Sequence, residues 1–187
     1  KLSRYKKALV SYEKAIELSP LHTGAWYNKG IVLNELARNQ EALESFEEAI
    51  EQDPNHSDSW YNKGVVLYKL NRYKEALDAY ENAIEINPER PDAWHNKGVI
   101  LGEMNSTEEA LKALDRTLKL DPCHDEAWYN KGIILSTLDE PEKALEAFEK
   151  SIKLNPDHTS ALSNKGVILN NLARHEEALE AYDQALK

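Results

Sequence analysis

Apolar side chains recur along this chain with the spacing of helix faces, in short blocks separated by polar residues and proline. Over 23–37, Trp26, Gly30, Leu33 and Ala37 share one face at i, i+4 and i+7 intervals, which predicts a helix with Thr23 as its N-cap. Arg38-Asn39 reads as a short polar link. A second helix is predicted over 40–52, where Leu43, Phe46, Ala49 and Ile50 line one side. Asp53-Pro54 ends it, because proline restricts the residue before it and lacks an N–H. Pro91 and Pro141 fall near helix starts, where proline is tolerated.

This two-helix pattern repeats. Gly30, Gly64, Gly98, Gly132 and Gly166 stand 34 residues apart, as do Pro20, Pro54, Pro88, Pro122 and Pro156. Ala8, Ala42, Ala76, Ala110, Ala144 and Ala178 form a third column, and the leucine after each forms a fourth. A single helix pair of this size cannot bury its apolar faces, so each unit must lean on the next in a solenoid. Glycine inside a helix costs ~1 kcal/mol relative to alanine. A glycine in every unit therefore implies that another helix crosses too close for a side chain. The Ala42 and Ala49 columns do the same for the second helix, loosened at Thr117 and Ser151.

The recurring pattern W…G…L…A…F/Y…A…P at a 34-residue period resembles the tetratricopeptide repeat (TPR) family over the whole chain. The resemblance implies an all-α, right-handed superhelical solenoid of antiparallel helix pairs whose first helices line a concave groove. In that frame 1–22 is a partial repeat holding a second helix, preceded by the end of a first helix at Lys1-Leu2. Repeats then follow at 23–56, 57–90, 91–124 and 125–158, with 159–187 lacking its end, for eleven helices in one array.

At about 100° per residue, with Trp26 at zero, Gly30, Leu33, Leu36 and Val32 fall on a packed arc. The arc from about 80° to 200° receives Asn34, Tyr27, Ile31, Gly24, Glu35 and Asn28, a mixture that burial does not demand. The resemblance turns this arc toward the groove. Its columns are Tyr27, Tyr61, His95, Tyr129 and Ser163; the aliphatic Ile31, Val65, Val99, Ile133 and Val167; and Asn28, Asn62, Asn96, Asn130 and Asn164. Asp58, Asp92, Glu126, Glu35 and Glu103 add acid against one base, Lys69.

A carboxamide offers the donor and acceptor that a peptide backbone also presents. A column of them could hold an extended chain whatever its sequence, while the Tyr column supplies selectivity. The arrangement is similar to the asparagine ladder in the repeat domain of O-linked N-acetylglucosamine transferases. The candidate peptide-binding residues are thus Asn28, Asn62, Asn96, Asn130 and Asn164 with Tyr27, Tyr61, His95 and Tyr129. The alternatives are that each Asn bonds a neighbouring turn or water, that the Tyr column packs on the adjacent repeat, and that His95 is an ordinary surface or core residue. The carboxylate clamp that the family uses for chaperone tails needs Lys and Arg on the groove, and these columns lack them.

Lys29, Lys63, Lys97, Lys131 and Lys165 stand at about 300°, inside the packed arc, where the family commonly has leucine. Snorkelling is one account. A more specific one pairs each with the preceding acidic column, Glu13, Glu47, Glu81, Asp115 and Glu149. Exposed pairs of this kind add ~0–1 kcal/mol, so they would set register more than stability.

Composition narrows the function classes. With 41% hydrophobic and 30% charged residues the chain is a globular sequence, and no apolar run reaches the ~18 residues of a membrane span. A formal charge of −10 without a basic block argues against nucleic acid and anionic lipid. The single cysteine, Cys123, suits a reducing compartment, so a cytoplasmic location is expected and the sequons at Asn55 and Asn105 are expected to stay unmodified. The chain opens on Lys1 rather than Met and reads as a fragment.

Phosphate-binding glycine loops and H-E-x-x-H are absent, and His175-Glu176-Glu177 lacks a second histidine. His22, His56, His124 and His158 sit in different inter-repeat loops, about 8–10 Å apart, too far to share a metal at ~2 Å bonds. No cofactor, metal or catalysis is expected. The expected function is a protein-interaction scaffold that takes a peptide segment of a partner. The alternatives are a substrate-recruiting domain of a larger enzyme and a self-association module. The last would stack through Leu2, Tyr5, Leu9 and Tyr12 at one end and Leu179, Tyr182 and Leu186 at the other.

Overall fold

The computed structural model describes residues 2–186, and among them eleven α-helices and no strand. They fall into two compact units, Lys1–Glu89 and Arg90–Lys187. The first holds α1 (Leu2–Leu18), α2 (Thr23–Glu35), α3 (Asn39–Gln52), α4 (Ser57–Lys69) and α5 (Tyr73–Ile86). The second holds α6 (Pro91–Glu103), α7 (Thr107–Leu120), α8 (Asp125–Thr137), α9 (Pro141–Leu154), α10 (Thr159–Asn171) and α11 (His175–Ala185). Within each unit every helix packs on the next in sequence, and a first helix also touches the following first helix, α2 on α4 and α6 on α8.

Helix starts correct one expectation. Thr23 is the first helical residue, and His22 is the N-cap. His22, His56, His124 and His158 each turn Nδ1 to accept the N–H of the third helical residue, at 3.2, 3.1, 3.2 and 3.3 Å. Nδ1 is two bonds from Cβ, the same reach as an asparagine Oδ1, so imidazole does the work that asparagine does at other N-caps. Pro91 and Pro141 open α6 and α9 at the first helical position, where a missing N–H costs nothing.

Each first helix ends in a left-handed residue that is never glycine: Ala37, Asn71, Asn105, Asp139 and Ala173, with φ of 57–59°. In the first such turn, the Ala37 N–H bonds Asn34 O at 3.0 Å and the Arg38 N–H bonds Leu33 O at 2.9 Å. This Schellman arrangement satisfies carbonyls the helix end would orphan. The connection is therefore Leu36-Ala37-Arg38, and Asn39 already belongs to α3. At the chain start, Ser3 and Arg4 continue α1, so Leu2 is not the end of a separate helix. Lys1, the Leu2 side chain and Lys187 lie outside the described residues.

The glycine column is explained by rings. A Cβ on Gly30 would meet Phe46 Cε1 at 2.6 Å, and one on Gly132 would meet Phe148 Cε1 at 2.6 Å. Phe46 and Phe148 belong to the second helix of the same repeat, and both are fully buried. Around them Ala42, Ala49, Ala144 and Ala147 let the helices approach, with Leu33, Leu43, Leu135 and Leu169 filling the space. Thr117 and Ser151 are also buried, and the Thr117 hydroxyl is spent on Ala113 O at 3.1 Å.

Candidate peptide-binding face

The Tyr27 and Asn28 columns stand on the first helices and are half-buried in every repeat. The structure joins the two columns to each other. In the first unit the Tyr27 ring lies 6.0 Å from Phe46 and 5.0 Å, edge-on, from His56. Asn62 Nδ2 reaches the Tyr27 hydroxyl at 3.5 Å and donates to Asp58 O at 2.8 Å, while Asn28 Nδ2 donates to Gly24 O at 2.7 Å. Tyr61 rests 5.8 Å from Tyr80.

The second unit repeats the motif. His95 stacks 4.5 Å from His124, and its Nε2 lies 2.9 Å from Asn130 Nδ2. Tyr129 lies 6.0 Å from Phe148 and 4.6 Å from His158, and its hydroxyl accepts from Asn164 Nδ2 at 3.3 Å. Asn96 is half-buried on the same helix as His95. In these bonds the amide is the donor. The Oδ1 atoms of Asn28, Asn62, Asn130 and Asn164 have no protein partner among the described residues.

Charge on this face is partly engaged. Glu35 accepts from the Tyr5 hydroxyl at 2.9 Å, and Lys69 Nζ donates to Asn34 Oδ1 at 2.8 Å. Glu126 lies 3.6 Å from His158 Nε2, and Asp92 lies 4.0 Å from His124 Nε2. Burial, with a smaller contribution from the neighbouring His124, pushes His95 down to about 4 against the pull of Asp92. His95 is therefore neutral at pH 7.

The lysine column turns away from this face. Lys63, Lys131 and Lys165 pair with Glu47, Asp115 and Glu149 of the preceding second helix at 2.9, 2.6 and 2.9 Å. Lys29 makes no such pair with Glu13 among the described residues and lies 4.9 Å from the Trp26 ring centre. Lys63, Lys97 and Lys131 also sit over the tryptophan three residues before them, at 5.5, 5.7 and 5.3 Å. The aliphatic stem is thus packed and the ammonium is held by a ring or a carboxylate.

Two features escaped the sequence reading. The tryptophan indoles donate across the inter-repeat loop, Trp26 to Pro20 O at 2.8 Å, Trp60 to Pro54 O at 2.9 Å and Trp128 to Pro122 O at 3.0 Å. The histidines cap helices and support the Tyr column from beside. Their signal was present as a histidine two residues after proline in four repeats. The terminal apolar positions are also corrected in part: Leu9 is buried at 8% exposure, whereas Leu179 and Leu186 are exposed at 62% and 86%. Leu9 and Leu179 stand in the same leucine column, and Leu9 is buried because α2 packs on α1, whereas no described helix follows α11. Among the described residues no helix is long and apolar enough to cross a membrane.

The chain is similar in structure to YrrB, described as a TPR protein with an unusual peptide-binding site, at 28% identity and a TM-score of 0.79 over 94% of this chain and 90% of that one. It is also similar to MamA from Desulfovibrio magneticus RS-1, at 21% identity and a TM-score of 0.82 over 88% and 93% of the two chains. For pilF of Pseudomonas aeruginosa the values are 24% and 0.80, over 88% and 75%. A search of curated proteins finds no match. Tetratricopeptide repeat models match residues 24–56, 57–90 and 125–158, and further models of the same description match 79–112, 147–180 and 1–20. With more than half of its length matched, the chain belongs to the tetratricopeptide repeat family.

Proposed function

We propose that this chain is a protein-interaction scaffold that holds an extended segment of a partner protein against the Asn and Tyr side chains of its first helices, without chemistry of its own. The observation that carries this reading is that in each unit Asn Oδ1 acceptors stand open beside half-buried rings, Asn28 and Asn62 in the first and Asn130 and Asn164 in the second. Peptide N–H groups are the complementary donors. The family membership and the peptide-binding site for which YrrB is described support it. On this reading the column acts as an asparagine ladder in which the internal bonds orient each amide and its carbonyl meets the ligand. The exposed lone Cys123 is compatible with a reducing, cytoplasmic setting.

The test is capture of a partner by the chain and by its Asn62→Ala/Asn96→Ala/Asn130→Ala variant. Each net hydrogen bond is worth about 0.5–1.5 kcal/mol, so three lost contacts should weaken binding at least tenfold. The melting temperature should change little. Unchanged capture with a large loss of stability would assign the column to structure alone.

A second reading is favoured by the exposed Leu179 and Leu186 in one unit and by Val10, Leu18 and Leu21 in the other. These apolar positions could stack between copies of the chain. A monomer mass that does not change with concentration in sedimentation would remove it.

A further inference from the structure

The third full repeat breaks two columns at one place. Where the other second helices carry Phe46, Tyr80, Phe148 and Tyr182, this one carries Leu114. Where the other first helices carry Asn34, Tyr68, Ser136 and Asn170, this one carries Gly102. Elsewhere the ring covers the glycine of its own repeat, and at Gly98 only the branched end of Leu114 does so, with its Cγ 2.9 Å from where a Cβ would stand. A ring and a side chain are therefore missing side by side.

The recess beside them is a cavity of about 300 Å³, open to solvent and contained within one unit, against about 160 Å³ for the equivalent recess one repeat on, where Ser136 and Phe148 are present. Val99, Gly102, Leu114, Ile133 and Ile134 form its apolar wall. Val99 and Ile133 belong to the aliphatic column of the candidate face, and Asn130 of the Asn column also lines the cavity. An apolar cavity of about 150 Å³ accepts benzene, so this recess has room for a phenyl or indole ring. Its lining includes Glu103, which is exposed, and no Lys, Arg or His. The whole chain carries −10.

We propose that this recess receives an aromatic side chain of a partner segment flanked by basic residues, whose main chain passes Asn130. The proposal rests on the peptide-binding reading above and adds what that reading does not name, the side-chain chemistry and its register. The ring replaces the volume that Leu114 and Gly102 give up, and Glu103 faces the flanking cation.

The probes are acetyl-Gly-Lys-Ser-Trp-Ser-Lys-Gly-amide and the same peptide with alanine in place of tryptophan. Each is titrated into the full chain while methyl and Asn side-chain amide resonances are followed by NMR. The tryptophan peptide should shift the Val99, Ile133 and Ile134 methyls and bind at least about tenfold more tightly than the alanine peptide. Leu114→Phe restores the ring of the other repeats and should abolish that preference while the fold is kept. Gly102→Asn, which restores the side chain found at Asn34 and Asn170, should do the same and serves if Leu114→Phe does not fold.

Equal binding of both peptides, or a preference that survives both fillings, would overturn the proposal. If both peptides shift the Asn130 and Asn164 amides alike and leave the methyls unmoved, the recess fails and the peptide-binding reading stands. If neither peptide shifts any of these groups, both fail.

Discussion

The imidazoles of His95 and His124 lie 4.5 Å apart, centre to centre, and tilted by 42°. One is the third member of the Tyr column, and the other is the N-cap of the following first helix. The stacked pair is tolerated because His95 stays neutral, and it sets the first prediction.

His95 titrates near 6.5 when unfolded and at about 4 in the fold, chiefly because it is buried and secondarily because His124 is close. Its folded value is lowered, so its contribution is fully present above pH 6.5 and is lost as pH falls toward 4, where the unfolded chain takes up a proton that the folded chain refuses. At about 1.36 kcal/mol per pKa unit the loss amounts to about 3 kcal/mol. Urea unfolding of the wild type and His95→Tyr between pH 7 and pH 4 should show this extra loss only in the wild type. Parallel pH profiles would refute it. Asp92 and Asp125 act on His95 in the opposite sense, so their neutralisation should enlarge the loss.

Gly132→Ala should destabilise the chain by about 1–3 kcal/mol in denaturant melts, although alanine is the better helix former by ~1 kcal/mol. The added Cβ would stand 2.6 Å from Phe148 Cε1, and the ring is fully buried with nowhere to move. Adding Phe148→Leu should not recover the loss, because a leucine there, like Leu114 beside Gly98, still brings its Cγ to about 2.9 Å from an added Cβ and gives up the buried ring. A neutral Gly132→Ala would show that the ring yields.

The ion pair of Lys131 with Asp115 at 2.6 Å should contribute little to stability. Both groups are partly in solvent, and a double-mutant cycle with Lys131→Met and Asp115→Asn should give a coupling of about 0–1 kcal/mol that shrinks with salt. Methionine keeps the stem over Trp128, so Lys131→Met alone should fall within the same range. A coupling above about 2 kcal/mol would mean the pair is far less solvated than its exposure indicates.

His22→Ala should cost about 1 kcal/mol of stability, and His22→Asn should restore it, because both side chains place an acceptor two bonds beyond Cβ at the Ala25 N–H. Thr23→Ala, at the first helical position, should be nearly silent by the same melts. The reverse order of effects would return the cap to Thr23.

Ala37→Gly or Ala173→Gly should raise the melting temperature, since a left-handed alanine costs about 1–2 kcal/mol that glycine avoids. The more flexible unfolded chain offsets part of this, leaving a gain of about 0.5–1 kcal/mol. A lower melting temperature for both would mean that the methyl groups pack usefully at the turn.

The helices, their pairing and the small columns are legible in the sequence, because each follows from local rules. Leu43 and Phe46 share a face because the helix rises and turns by fixed amounts, and Gly30 announces a close crossing because glycine is otherwise costly there. The lysine pairs were legible for Lys63, Lys131 and Lys165, since a fixed period puts two facing columns in register. Lys29 and Thr23 were misread for a shared reason. Each has an equivalent partner nearby, the Trp26 ring for the lysine and the His22 imidazole for the cap, and only packing chooses between them.

The sequence by itself determined an all-helical chain built from a 34-residue unit, because helix periodicity, turn chemistry and the need to bury one face repeat identically in every unit. Tertiary structure decided how the individual polar groups are spent. Asn62 meets Tyr27 and Asn164 meets Tyr129 across 35 residues, and that leaves their carbonyls rather than their amides open. Leu114 and Gly102 were visible as two separate departures from the period. Only the fold, by bringing α6, α7 and α8 together, makes one recess of them, since the space between helices depends on side chains from all three.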